Sequence, residues 1–266
     1  MGRISLILVA CLVLAWRPAG AVTISASQDL GAVPANPGTG LLGSYYKFGS
    51  SSNIGSLSNT NILISSSGGP TATFTTTEVC FPDCAGNSMS DSSTMTQLLN
   101  GHTSTFSYTS ANQPTSIDHS AIVLTGYIAI TQTGTYNFNL GSDDGSQLTI
   151  GGQSVINNDN DHAFQFDSGS ATFSQTGLYA ISLEYFEDSG STGLDFYGSD
   201  PTGACVFGRS SSCASGSATT GLFYGSLPAT ATPEPASIMI FGTGLGGLAL
   251  VRRRRGQAVR TTAVRQ

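Results

Sequence analysis

Three observations predict an all-β fold in which antiparallel sheets pack as a sandwich or close as a barrel, with one membrane-spanning helix appended at the C-terminus. First, the 266 residues include 38 Ser, 30 Thr and 33 Gly but only 10% charged residues, a mixture that favours strands and tight turns over long helices. Second, apolar residues recur at every second position through many short runs, which places them on one face of a pleated strand. Third, the 13 Phe and 9 Tyr residues fall largely within those runs and supply enough apolar surface for a sizeable core.

Along the chain, 22–39 contains Pro and Gly without periodicity and reads as an approach to the domain. Strand signals follow at 41–48, 61–65 and 71–79, separated by Ser/Gly/Asn turns, and 94–99 is the one plausible short helix. The alternation then sharpens at 121–132, 136–140, 147–150, 153–157, 163–166, 170–173, 178–186 and 193–197. In the longest run Tyr179, Ile181, Leu183 and Tyr185 share one face, which is assigned to the core. A last apolar run, Leu222-Phe223-Tyr224, reads as a returning edge strand. These strands imply two packed sheets or a barrel over 40–226, with 227–232 as a linker and no internal repeat.

Both ends carry addresses. Met1-Gly2-Arg3, the apolar run Ile4 to Trp16 and Ala19-Gly20-Ala21 have the order of a signal peptide, so 1–21 is expected to be removed and Val22 to begin the mature chain. Near the other end Pro233-Glu234-Pro235 precedes an uncharged run from Ala236 to Val251 and then Arg252, Arg253, Arg254 and Arg255. Arg side chains can snorkel and extend this slightly short run across a bilayer, so a plain C-terminal anchor is one reading. The four Arg place the tail, 256–266, initially in the cytoplasm. In its three ordered parts the segment 233–255 resembles the PEP-CTERM sorting signal of Gram-negative bacteria. That resemblance implies an exosortase-type processing enzyme as a partner and a membrane association, at least transient, through the C-terminal helix. It also implies a destination in the cell envelope, on the outer surface or in the extracellular matrix, where such proteins accompany exopolysaccharide and biofilm.

Between Val22 and Thr232 fifteen acidic residues face only Lys47 and Arg209. A body this acidic repels phosphate backbones, which argues against nucleic acid and for cations or neutral polar ligands. Four cysteines remain after loss of Cys11, and even parity in an oxidising compartment predicts two disulfides. Three connectivities are open; the local pairs Cys80 with Cys84 and Cys205 with Cys213 are preferred because each would pin a turn-rich loop. Neither pair has zinc-finger spacing to further Cys or His.

The chemistry concentrates in Ser142-Asp143-Asp144-Gly145-Ser146. This segment stands in an ordered set with Gly40-Leu41-Leu42-Gly43-Ser44-Tyr45-Tyr46, Gly126-Tyr127-Ile128, Gly134-Thr135-Tyr136-Asn137-Phe138 and the run Gly177 to Glu187. The set resembles the protective-antigen-type ("PA-fourteen") domain, a lectin-like β-sandwich, over about 38–200. In sugar-binding adhesins of that family the two aspartates are joined by a cis peptide and face one Ca²⁺, whose open positions take sugar hydroxyls. Carried onto this chain, the resemblance implies Asp143 and Asp144 as metal ligands and Glu187 at the place of an adhesin Asn. Asp188 and Ser189 follow in the ligand-binding loop. Read without the family, Asp143-Asp144-Gly145 is also an ordinary polar hairpin turn.

A second polar cluster, Asn157 to His162, lacks the glycine and distal Glu of an EF-hand loop and reads as a solvated loop. His102, His119 and His162 have no catalytic motif around them, and no nucleophile elbow, zincin or phosphate-loop motif occurs. The expected function is therefore a binder, not an enzyme: an exported protein holding carbohydrate, exopolysaccharide or another glycan, through a Ca²⁺-dependent site. The alternative is a structural surface or matrix protein with a lectin-like fold and no sugar ligand.

Overall fold

The period-two runs are realised as two sheets packed face to face. The computed structural model describes residues 20–111, 113–208 and 221–227, and the chain divides into units 1–226 and 227–266. The signal segment through residue 19, Cys213, the sorting segment and the predicted membrane helix lie outside the described residues. Among those described, no helix is long and apolar enough to cross a membrane.

In chain order the elements are β1 (Val22–Ile24), β2 (Leu41–Lys47), α1 (Leu57–Ser66), β3 (Ala72–Thr76), β4 (Val79–Phe81), β5 (Met89–Ser90), α2 (Met95–Leu99) and β6 (Ser104–Tyr108). There follow β7 (Ser120–Ile130), β8 (Gly134–Asp143), β9 (Ser146–Ile150), β10 (Gln153–Asn158), β11 (Gln165–Phe173), β12 (Gly177–Glu187), β13 (Ser191–Ser199), β14 (Cys205–Phe207) and β15 (Phe223–Tyr224). The first sheet runs β1-β11-β8-β13-β14, with β4 and β5 also on β13; the second runs β10-β9-β12-β7-β2-β3-β6, with β15 on β7.

The inner faces follow the alternation. Tyr179, Ile181, Leu183 and Tyr185 of β12 are buried, as are Tyr136, Phe138 and Leu140 of β8 and Leu194 and Phe196 of β13, and all join one core. Tyr136 meets Phe173 edge to face at 5.5 Å, and Phe173 meets Tyr179 at 4.9 Å, so aromatic contacts bridge the sheets.

Several expectations are corrected. The run 61–65 is helical, within α1: its apolar residues Ile62-Leu63-Ile64 are contiguous, not alternating, and the Ser56 hydroxyl accepts the Asn59 N–H at 3.3 Å as an N-cap. A remote side chain adds to the cap, since Asp159 Oδ1 accepts the Leu57 N–H at 2.7 Å. The segment 22–39 is not merely an approach, because β1 pairs in parallel with β11 and Asp29 bridges to Tyr179; the first sheet is thus mixed. The expected strand 71–79 is two strands in different sheets, and 163–166 with 170–173 form the single strand β11. The helix expected at 94–99 is α2, closed by a capping box between Thr94 and Gln97.

Candidate functional site

Three connections cross from one sheet to the other at the same rim. β8 passes to β9 through Asp144-Gly145, β10 to β11 through 159–164, and β12 to β13 through 188–190. Asp144 lies where they meet. Its Oδ1 accepts the His162 N–H at 3.1 Å and its Oδ2 accepts the Asp188 N–H at 2.9 Å, so one carboxylate ties all three crossovers together.

The first crossover is tight because Gly145 has no side chain. A Cβ there would meet the Phe186 ring at 2.3 Å and the Asn160 carbonyl oxygen at 2.8 Å. The Phe186 N–H donates to the Gly145 carbonyl at 2.9 Å. Phe186 itself, on the outward face of β12, is covered by Ile54 and Leu57 at the start of α1. Beneath the turn the Ser142 and Ser146 hydroxyls lie 2.7 Å apart, and Asn158 Nδ2 donates to Ser142 at 3.2 Å. The Asp143–Asp144 peptide is cis.

Asp143, Asp144 and Glu187 are 5%, 2% and 0% exposed, so their charges receive little help from water. Burial raises the Asp143 carboxyl, against hydrogen bonds from the Ser88 hydroxyl and the Phe164 amide. Burial, with a hydrogen bond to the Asp161 carboxyl adding to it, pushes Asp144 up to about 7. Burial, then the charge of Asp144, pushes Glu187 up to about 10. Tyr185 shares the inward face of β12 with Glu187, two positions on, and its hydroxyl donates to Glu187 Oε2 at 3.0 Å. Glu187 Oε1 is buried with no hydrogen-bond partner.

The site residues expected from the sequence are thus brought together unequally. Asp143 and Asp144 are adjacent at the rim, and Asp188 reaches Asp144 through its backbone. Ser189 is exposed on the turn that follows. Glu187 is turned inward toward Tyr185. Among the described residues, only Glu78, Cys84 and His102 bring three metal-ligating atoms within 4.8 Å of one another, so Asp143, Asp144 and Glu187 do not converge as a closed trio. In that other trio Cys84 is bonded to Cys80 (S–S 2.11 Å) and His102 Nδ1 lies 2.8 Å from Glu78 Oε1. Cys205 is also disulfide-bonded, and Cys213 lies outside the described residues.

The cluster read as a solvated loop is exposed at Asn157, Asn160 and Asp161 and also reaches the aspartate pair. Asp161 meets Asp144, and His162 donates to it. The chemistry of the pair suits a hard cation such as Ca²⁺, since Asp144 and Asp161 crowd one another and a cation would relieve their repulsion.

The family model of the PA14 domain matches residues 90–204, and that of the PEP-CTERM protein-sorting motif matches residues 231–255. The chain thus contains a stretch similar to the PA14 domain, followed by one similar to the PEP-CTERM motif. In fold it is similar to the PA14 domain of the MpAFP antifreeze protein, with 23% identity and a TM-score of 0.57 over 76% of this chain and 98% of that one. It is also similar to the PA14 sugar-binding domain from an RTX adhesin, with 21% identity and a TM-score of 0.52 over 64% of this chain and 94% of that one. No curated protein matches the chain.

Proposed function

We propose that this chain is a carbohydrate-binding protein of the bacterial surface or matrix whose glycan site is completed by Ca²⁺ at Asp143 and Asp144. The observation that carries the reading is the meeting of three crossovers on buried carboxylates at one rim, with Asp161 as a further oxygen donor. Bound there, Ca²⁺ would supply open coordination positions for the hydroxyls of a sugar. The protein's own part is positional: the His162 and Asp188 amides orient Asp144, and Ser88 and the Phe164 amide orient Asp143. Glu187 lies beneath the pair, held by the Tyr185 hydroxyl, while Asp188 and Ser189 border it. The PEP-CTERM motif supports export and exosortase processing, and the exopolysaccharide matrix is the proposed setting.

Calorimetry with Ca²⁺, followed by a glycan array with and without chelator, tests the reading. We expect heat with Ca²⁺ in the parent protein and its loss in an Asp143→Asn, Asp144→Asn double variant that keeps the fold. Equal Ca²⁺ binding by both would refute the site. Ca²⁺ binding with no glycan response would leave a surface protein without a sugar ligand.

A further inference from the structure

The rim site borders the outer face of the first sheet, and the side chains of that face fall in rows. On β8 the outward positions are Thr135, Asn137, Asn139, Gly141 and Asp143, because Tyr136, Phe138 and Leu140 point into the core. The register places Ser170 beside Asn137, Ser168 beside Asn139, and Phe166 beside Gly141. The Ser170 hydroxyl donates to Asn137 Oδ1 at 2.8 Å, and the Ser168 hydroxyl to Asn139 Oδ1 at 2.6 Å. Each serine thus occupies the carbonyl of its asparagine, and the amide N–H groups remain as donors with no protein partner among the described residues.

The next row toward the rim is aromatic. Phe166, 43% exposed, lies over Gly141, where a Cβ would meet its ring at 2.5 Å. It is held edge to face by Phe164 at 5.4 Å and by Tyr197 at 5.5 Å. The ring packs over Gly141 and Gly86, and the part left open offers an apolar face to a ligand. Asp143 stands two residues beyond Gly141 on the same face, about 7 Å along the strand, and its carboxylate takes the Phe164 amide N–H. Aromatic row and rim site are therefore continuous.

We infer that this face is a platform for a neutral polysaccharide chain, which enters the rim site with one residue and lies across the sheet with those that follow. The inference rests on the proposed sugar site and specifies its ligand as a polymer. An exposed ring beside hydroxyl-and-amide rows suits a sugar, which has apolar C–H faces and polar edges. The rows recur every two residues, about 7 Å along the strand. No basic side chain lies in the rows to pair with an anionic chain.

The test titrates the full chain, in Ca²⁺, with neutral gluco-, manno- and galacto-oligosaccharides of increasing length and with a uronic-acid series. At least one neutral series should bind with an affinity that rises with length. Phe166→Ala, at an exposed position, should cost about fivefold on the long oligomers, the equivalent of roughly 1 kcal/mol for one lost ring contact. It should leave Ca²⁺ affinity and the shortest ligand unchanged, and Asn139→Ala should act in the same direction. If short sugars bind with Ca²⁺ but length adds nothing, or if the gain survives both substitutions, the platform is refuted while the rim site stands. A length effect confined to the uronic-acid series also overturns it. Absence of any sugar binding in Ca²⁺ overturns both readings.

Discussion

Replacing Asp195 by Asn tests how much a buried charge costs this fold. Asp195 is 3% exposed on β13; its Oδ2 accepts the Gly86 N–H at 2.8 Å, and its Oδ1 has no partner. Burial pushes its carboxyl from 3.8 up to about 7, and the charge of Asp83 adds to the rise, while the Gly86 and Phe81 amides oppose it. The folded protein therefore holds a proton that the unfolded chain releases near pH 4, so stability falls as pH rises from there through about 7. A gap of this size is worth about 4 kcal/mol as an upper limit, at about 1.4 kcal/mol per pH unit. Asn keeps an acceptor for the Gly86 N–H and cannot ionise. Urea unfolding of parent and variant at a series of pH values, disulfides intact, gives a difference curve from which shared groups such as Asp144 cancel. The variant should gain on the parent across pH 4 to 7 and hold a margin on the order of 1–4 kcal/mol above it. A difference independent of pH, or one growing in the parent's favour as pH rises, would refute the reasoning.

Three further outcomes are expected. Ca²⁺ affinity should rise with pH through about 7, because Asp144 must lose its proton to serve as a ligand; calorimetry in buffers of different ionisation enthalpy should show proton uptake by the buffer at pH 6, and none would count against Asp144. Gly145→Ala should lower stability by about 1–3 kcal/mol and weaken Ca²⁺ binding, since the added methyl meets Phe186 and the Asn160 carbonyl; a denaturation midpoint equal to the parent's would show that the turn yields freely. Changing Pro233-Glu234-Pro235 should leave the chain unprocessed in envelope fractions, as seen by a mass shift on gels; normal maturation of that variant would reduce the tail to a plain anchor.

Much of this protein was legible in one dimension. Where a strand is buried on one face and its neighbours are hydrogen-bonded on both sides, the period of two is enforced by the core, and 178–186 shows it plainly in Tyr179, Ile181, Leu183 and Tyr185. The sorting motif is likewise a linear signal, read from order and composition alone. The Asp143-Asp144 pair stood out through the family resemblance of the strands around it, whereas its residue types alone read equally as a polar hairpin turn. Tertiary structure decided what a linear pattern does not encode. Ile62-Leu63-Ile64 became helix because capping by Ser56 and Asp159 outweighs a short β-prone run. Val22–Ile24 became a strand because the edge of β11 offered free backbone groups to pair with. Glu187 turned inward because it shares a face with Tyr185, whereas Asp161, 17 residues from Asp144, reached the pair. Only the meeting of three crossovers at one rim makes neighbours of residues this far apart, and that meeting follows from how the two sheets pack, which no local spacing in the chain records.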